Sequence, residues 1–147
     1  MELMNLWEMQ LPIKKLYSAC IEPVCKSHRL TRTELDILLF LANNPMYDTA
    51  ADIVNIRLLA KSHVSSSINS LEKHGLLTKS TEPKDKRIIH LSLTSKSKEP
   101  VSAGQKAQKK FFSILCGGMS KEDIKKIAVY FTQMKYNIKN YLEANEL

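Results

Sequence analysis

Between Lys61 and Lys73, the side chains able to hydrogen-bond are not scattered. Ser62, Ser66, Asn69 and Lys73 recur at steps of four, three and four with Ser65 beside them, which sets them on one face of a helix. Lys61 and His63 stand near its N-terminal end, and Val64, Ile68 and Leu71 take the opposite face, with Gly75 as a stop signal. The run from Ala60 to Gly75 holds five serines in sixteen residues. Serine competes with the backbone for hydrogen bonds and disfavours helix interiors, so the face calls for a reason beyond propensity. Reading base edges in a DNA major groove is such a reason. The groove admits one helix, and the facing side chains must be short and polar. Serine donates or accepts, asparagine can bond adenine at two points, and lysine suits guanine or phosphate. The plain alternative is a solvated helix face, and this helix alone does not separate the two.

A second group lies a few residues on. "EPKDKR" places Lys84, Lys86 and Arg87 at the tip and flank of a turn, with Asp85 two residues before Arg87. A narrow minor groove attracts inserted arginine through its enhanced negative potential. Asp85 is an odd choice beside phosphate unless it pairs with Arg87 and aims the guanidinium. Otherwise it is an ordinary turn aspartate.

These groups need elements to carry them. "LTRTELDILLFLANNP" reads as a helix, with Thr31 and Glu34 at capping-box spacing and Asn43-Asn44-Pro45 as the stop. Its body is apolar nearly all round, so burial is expected. "DTAADIVNIRLLA" follows as a shorter helix, with Asp48 read as its cap. Helix-turn-helix proportions result. After Gly75, "LLTKSTE" and "RIIHLSLT" read as two strands around the charged turn. Residues 3–28 read as helical on the recurrence of Leu6, Met9, Ile13, Leu16, Cys20 and Val24, with a start, kink or break expected at Pro12 and Pro23. A helix beginning between Ser95 and Val101, late or kinked because of Pro100, should end at Gly117-Gly118. A last one, capped by Ser120 and Asp123, carries Ile124, Ile127, Phe131, Met134, Ile138 and Tyr141 at alternating steps of three and four. That is a coiled-coil-like seam, fitted to a second helix of similar length. Packing within its own domain is the simpler alternative.

The charge agrees with a polyanionic partner. Of a net +7, residues 1–59 carry −1, residues 60–98 carry +5 and residues 99–147 carry +3. The excess is thus concentrated on the serine-rich helix and the turn after it.

Taken together, "LTRTELDILLFL", "KSHVSSSINSLEKHGLL" and "EPKDKRIIHLSLT" resemble the MarR family of bacterial winged-helix regulators, over almost the whole chain. The resemblance implies a mostly α fold with a small β-hairpin wing. A winged helix-turn-helix, residues 31–94, is flanked by a helical dimerisation region, residues 1–30 and 95–147. It implies a homodimer on a near-palindromic duplex DNA operator, acting as a repressor, with helix 61–73 in the major groove and wing 82–88 in the minor groove. Ile13 and the seam residues would form the dimer interface. Members often take small aromatic acids between the dimer helices and the winged region, a cleft that Trp7, Tyr17, His28, Phe111 and Phe112 could line; the plainer alternative is that aromatics on helical stripes are core. The chain departs from the pattern at Ala60, where a serine cap is frequent, and at Ser66, where a basic residue is common. An activator, or a winged-helix dimer that binds other proteins, is the rival reading.

Other chemistries find little support. There is no Gly-rich phosphate loop, no G-x-S-x-G, and no nucleophile with a neighbouring base, so an enzyme is not expected. His28, His63, His74 and His90 lack metal-ligand spacing and no Cys-x2-Cys occurs, so neither metal nor cofactor is expected. With no signal peptide and no membrane-length apolar run, a cytoplasmic protein with reduced Cys20, Cys25 and Cys116 is expected. Cys20 and Cys25, five residues apart on a helix, point about 140° from each other. They are read as unreactive.

Overall fold

The computed structural model describes residues 6–57 and 59–145, with side chains from Glu8 onward. Helix α1 spans Leu6–His28, α2 Arg32–Asn43, α3 Ala50–Arg57 and α4 Lys61–Lys73. Strands β1 (Leu77–Thr81) and β2 (Ile89–Leu93) form an antiparallel hairpin, followed by α5 (Lys98–Leu115) and α6 (Lys121–Ala144). One compact unit runs as far as Phe111, and a second begins at Phe112.

Helix α2 is the wall shared by two cores. Its start is the expected capping box: Glu34 N–H donates to Thr31 Oγ1 at 3.2 Å, and Thr31 N–H donates to Glu34 Oε2 at 2.7 Å. Ile37, Leu38, Phe40 and Leu41 pack with Ile53 of α3, Val64, Ile68 and Leu71 of α4, and Leu77 and Leu91 of the hairpin. Leu35 and Leu39, one turn apart on another side of α2, pack with Ile21 and Cys25 of α1 and Ala107 of α5. An all-round apolar helix is stable only with cover on both sides, and each fully buried leucine or isoleucine there contributes about 1.5–3 kcal/mol. Gly104 of α5 faces Leu39: a Cβ there would stand 2.8 Å from Leu39 Cδ2, closer than methyl groups approach. Glycine at that position lets α5 sit on α2.

Two expectations are corrected and a third is made exact. Helix α1 runs unbroken through Pro12 and Pro23. Both prolines are exposed, so the carbonyls they leave without an N–H partner can bond water instead. The cap of α3 is Thr49, not Asp48. Thr49 Oγ1 accepts from Asp52 N–H at 3.1 Å, while Thr49 N–H donates to Asp52 Oδ2 at 3.1 Å. Helix α5 begins at Lys98, within the expected span from Ser95 to Val101, after one 3-10 turn at Ser95–Ser97 and with Pro100 in its first turn. Proline is tolerated in the first helical turn, where backbone donors have no helical acceptor.

The buried arc of α1 also differs from the apolar stripe. Cys20, Ile21 and Cys25 are buried, whereas Ile13 and Leu16 are half-buried and Met9 is exposed. In α6, Ser120 Oγ accepts from Asp123 N–H at 3.1 Å, as the capping residues predict. No residue of α6 is buried.

Candidate nucleic-acid interface

The polar face of α4 stays exposed after folding. Val64, Ile68 and Leu71 anchor α4 in the core, and Lys61, Ser62, His63, Ser65, Ser66, Asn69 and Lys73 are all exposed. The helix starts at Lys61 without a side-chain cap from Ala60, leaving its first backbone donors open. Its other end is tied down. Gly75 takes a φ of 72°, a left-handed conformation that suits glycine. Thr94 Oγ1 donates to the Gly75 carbonyl at 2.6 Å, and Lys96 Nζ donates to the His74 carbonyl at 2.9 Å. The chain leaving the hairpin thereby holds the C-terminal end of α4, where a cation also meets the negative pole of the helix.

The hairpin pairs Leu77 with Leu93, Lys79 with Leu91 and Thr81 with Ile89. Its loop closes through Glu82 N–H to the Ile88 carbonyl and Ile88 N–H to the Asp85 carbonyl, each at 3.0 Å. Within that loop Asp85 Oδ1 accepts from Arg87 N–H at 3.0 Å and from Arg87 Nε at 3.2 Å. The Arg87 side chain is 91% exposed. One edge of its guanidinium is therefore held, and the other is free to meet a phosphate or a groove. Lys84 and Lys86 are exposed beside it.

Wing and helix converge. A cleft of ≈ 470 Å³ between α3, α4 and the hairpin is lined by Lys61, Ser65 and Asn69 of α4, Lys79 of β1, and Arg87. Two positioning contacts here were not anticipated from the sequence. Lys79 Nζ donates to Asn69 Oδ1 at 2.6 Å and lies 2.8 Å from Glu72 Oε2. His90 of β2 joins Asp48 through Nδ1 at 2.9 Å and Glu82 through Nε2 at 3.2 Å. The hydrogen bond to Asp48, then that to Glu82, raises the His90 pKa above its ordinary value. The carbonyl of Asp48 also accepts from Leu91 N–H at 2.7 Å. Asp48 is thus the residue that clamps the hairpin to the entrance of α3.

On the other side of α2, Arg32 caps the Tyr17 ring at 4.6 Å and its Nε donates to Asp36 Oδ2 at 3.1 Å. The second oxygen of Asp36 faces Arg57 of α3 at 3.6 Å. Asp36 therefore ties the first turn of α2 to the last turn of α3.

Of the aromatic residues named as a possible effector lining, two pack against each other. Tyr17 and Phe111 meet edge to face at 5.1 Å, and the Tyr17 hydroxyl accepts from Gln108 Nε2 at 3.1 Å. Phe111 is buried and Tyr17 half-buried between α1 and α5, with Arg32 over one face of Tyr17. His28 lines a surface hollow walled by Lys98, Glu99, Ser102, Ala103 and Lys106, which holds none of those rings. Phe112 is exposed, and the side chain of Trp7 lies outside the described residues. Among the described residues no cluster of His, Cys, Asp and Glu is suited to hold a metal ion.

Helix, turn, helix and a basic-tipped hairpin define a winged helix-turn-helix protein. Residues 29–88 match the model described as the MarR family. A curated relative, the HTH-type transcriptional regulator YdgJ of Bacillus subtilis (strain 168), is 26% identical over 116 residues, 79% of this chain and 69% of the relative. A MarR family regulator from Listeria monocytogenes, solved with a 26mer DNA, shares the fold with a TM-score of 0.80 at 19% identity, over 96% of this chain and 93% of that one. A MarR protein from Peptoclostridium difficile DA00132 gives a TM-score of 0.76 at 19% identity, again over 96% and 93%. The chain thus has the winged-helix fold of these proteins, and its residues 29–88 resemble the MarR family.

Proposed function

We propose that the chain is a homodimeric regulator that binds a near-palindromic duplex operator and represses transcription by occluding the promoter. The observation that carries this reading is that residues of both exposed groups, Lys61, Ser65 and Asn69 of α4 and Arg87 of the wing, line one cleft. Residues 31–94 form the DNA-binding part. Helix 61–73 enters the major groove, and the loop 82–88 enters the flanking minor groove. The solved Listeria relative, described with a 26mer DNA, supports the choice of duplex DNA.

Residues 1–30 and 95–147 form the dimerisation part. Its support is the uncovered seam of α6, where Ile124, Ile127, Phe131, Met134, Ile138 and Tyr141 are all exposed within the chain. A contiguous apolar stripe of that length marks an interaction surface. The partly exposed Met9, Ile13 and Leu16 of α1 give a second copy further apolar area. No helix among the described residues is long and apolar enough to cross a membrane. Cytoplasmic residence and binding without catalysis complete the proposal.

Selection of sites from a randomised duplex library tests it, read together with the solution mass. An inverted repeat with half-sites about one helical turn apart, bound by a dimer, is expected. Binding that weakens with salt but selects no motif overturns base reading, and the protein-interaction role then takes its place.

A further inference from the structure

Lys79 stands on β1 with its ammonium between two side chains of the recognition helix. It donates to Asn69 Oδ1 at 2.6 Å and pairs with Glu72 Oε2 at 2.8 Å. Asn69 and Glu72 are one helical turn apart, so the cation bridges one face of α4. The Lys79 side chain is 25% exposed, whereas Asn69 is exposed.

An ammonium has donors only, so the carboxamide of Asn69 can meet it only through its oxygen. The amide is thereby oriented, and its Nδ2 protons are turned away from Lys79. An unrestrained asparagine bonds adenine at two points, accepting from N6 and donating to N7. With one lone pair of Oδ1 already taken by a cation, the N6 amino group of adenine would have to share that oxygen, on its remaining lone pair and in an orientation set by Lys79. Guanine opposes nothing: O6 and N7 are both acceptors and meet the two Nδ2 protons. Glu72 neutralises Lys79 locally, which removes the charge that would otherwise draw the lysine to phosphate.

We propose that Lys79 is a specificity-determining positioning residue: by holding Asn69 Oδ1, it presents the Nδ2 donors of Asn69 to the base and favours guanine over adenine. This rests on the DNA-binding reading above.

The test is site selection from one randomised duplex library, run on the full chain and on four variants. Asn69→Ala identifies the base position that Asn69 reads, as the one whose preference it flattens. There the wild type is expected to favour guanine over adenine by about tenfold, the scale of one good two-point contact. Lys79→Met frees the amide and is expected to move that position, and no other, towards adenine. Lys79→Thr, a residue suited to a strand, serves where methionine does not fold, and Lys79→Arg, which keeps the donor, is expected to restore guanine.

A structural role alone would weaken every sequence alike, so the position-specific change is the deciding readout. If the wild type selects a motif that Lys79→Met and Lys79→Thr leave unchanged, the proposal is overturned while the DNA-binding reading stands. A uniform loss of affinity with a salt slope lower by about one makes Lys79 a phosphate contact, and also overturns it. If the wild type selects no motif, the DNA-binding reading falls and this inference falls with it.

Discussion

His90 on β2 and Asp48 at the entrance of α3 are 42 residues apart in sequence, and their side chains meet at 2.9 Å. Glu82 approaches the other ring nitrogen at 3.2 Å, so one imidazole straps the base of the wing to the helix-turn-helix. The strand partner of His90 is Ser80, which brings no charge, and the two carboxylates face it from the α3 entrance and the wing. A protonated ring donates to both; a neutral one to only one. Because the folded pKa lies above the ordinary 6.5, the strap's contribution is complete below that value and is lost as pH rises through the folded one. Amide exchange at Glu82 and Ile88, corrected for intrinsic rates, should therefore slow on going from about pH 8 to about pH 6. His90→Gln should remove the difference. Equal pH dependence in wild type and variant would show that the strap does not hold the wing.

Arg87 is held by Asp85 and otherwise open to solvent. Arg87→Ala should cost about 1–3 kcal/mol on the selected operator and relax preference at the wing position. Lys84→Ala and Lys86→Ala should weaken all duplexes alike, each lowering the salt slope by about one. Asp85→Ala should lose part of the Arg87 effect, since the guanidinium keeps its charge and loses its direction. Anisotropy titrations at two salt concentrations distinguish these outcomes.

The seam of α6 gives a mass measurement. Phe131→Asp places a carboxylate on the stripe shared with Ile127 and Met134. It should weaken self-association by about 3 kcal/mol, roughly a hundredfold. Sedimentation at micromolar concentration should then find monomers. A variant that stays dimeric would place the interface elsewhere.

Thiol labelling reads the core. Cys20 and Cys25 are both buried, and burial pushes the Cys25 thiol up, away from the reactive thiolate. Both should resist labelling in the native protein and react only on unfolding, with DNA binding unaffected by mild oxidant. Rapid labelling of either one with loss of operator affinity would mark a redox switch instead.

Much of this molecule was legible locally. The capping box of α2, the polar face of α4 and the Ser120 cap rest on residues a few positions apart, and the hairpin on two neighbouring strands around one turn. Periodicity and capping chemistry report such contacts directly, and the Asp85–Arg87 pair, two residues apart, belongs with them. Even some misreadings were local. The Thr49–Asp52 spacing carried the true cap of α3, and Pro12 and Pro23 are tolerated because they face water. What tertiary structure alone decided are the contacts between distant segments. The His90 clamp on Asp48 is one, the Lys79 hold on Asn69 another, and the burial of Tyr17 against Phe111 and Arg32 a third. Each depends on how α1, α4, α5 and the hairpin are placed around α2. A residue's type and spacing fix its face on an element, but its partner across the fold is set only when packing brings two faces within hydrogen-bond reach.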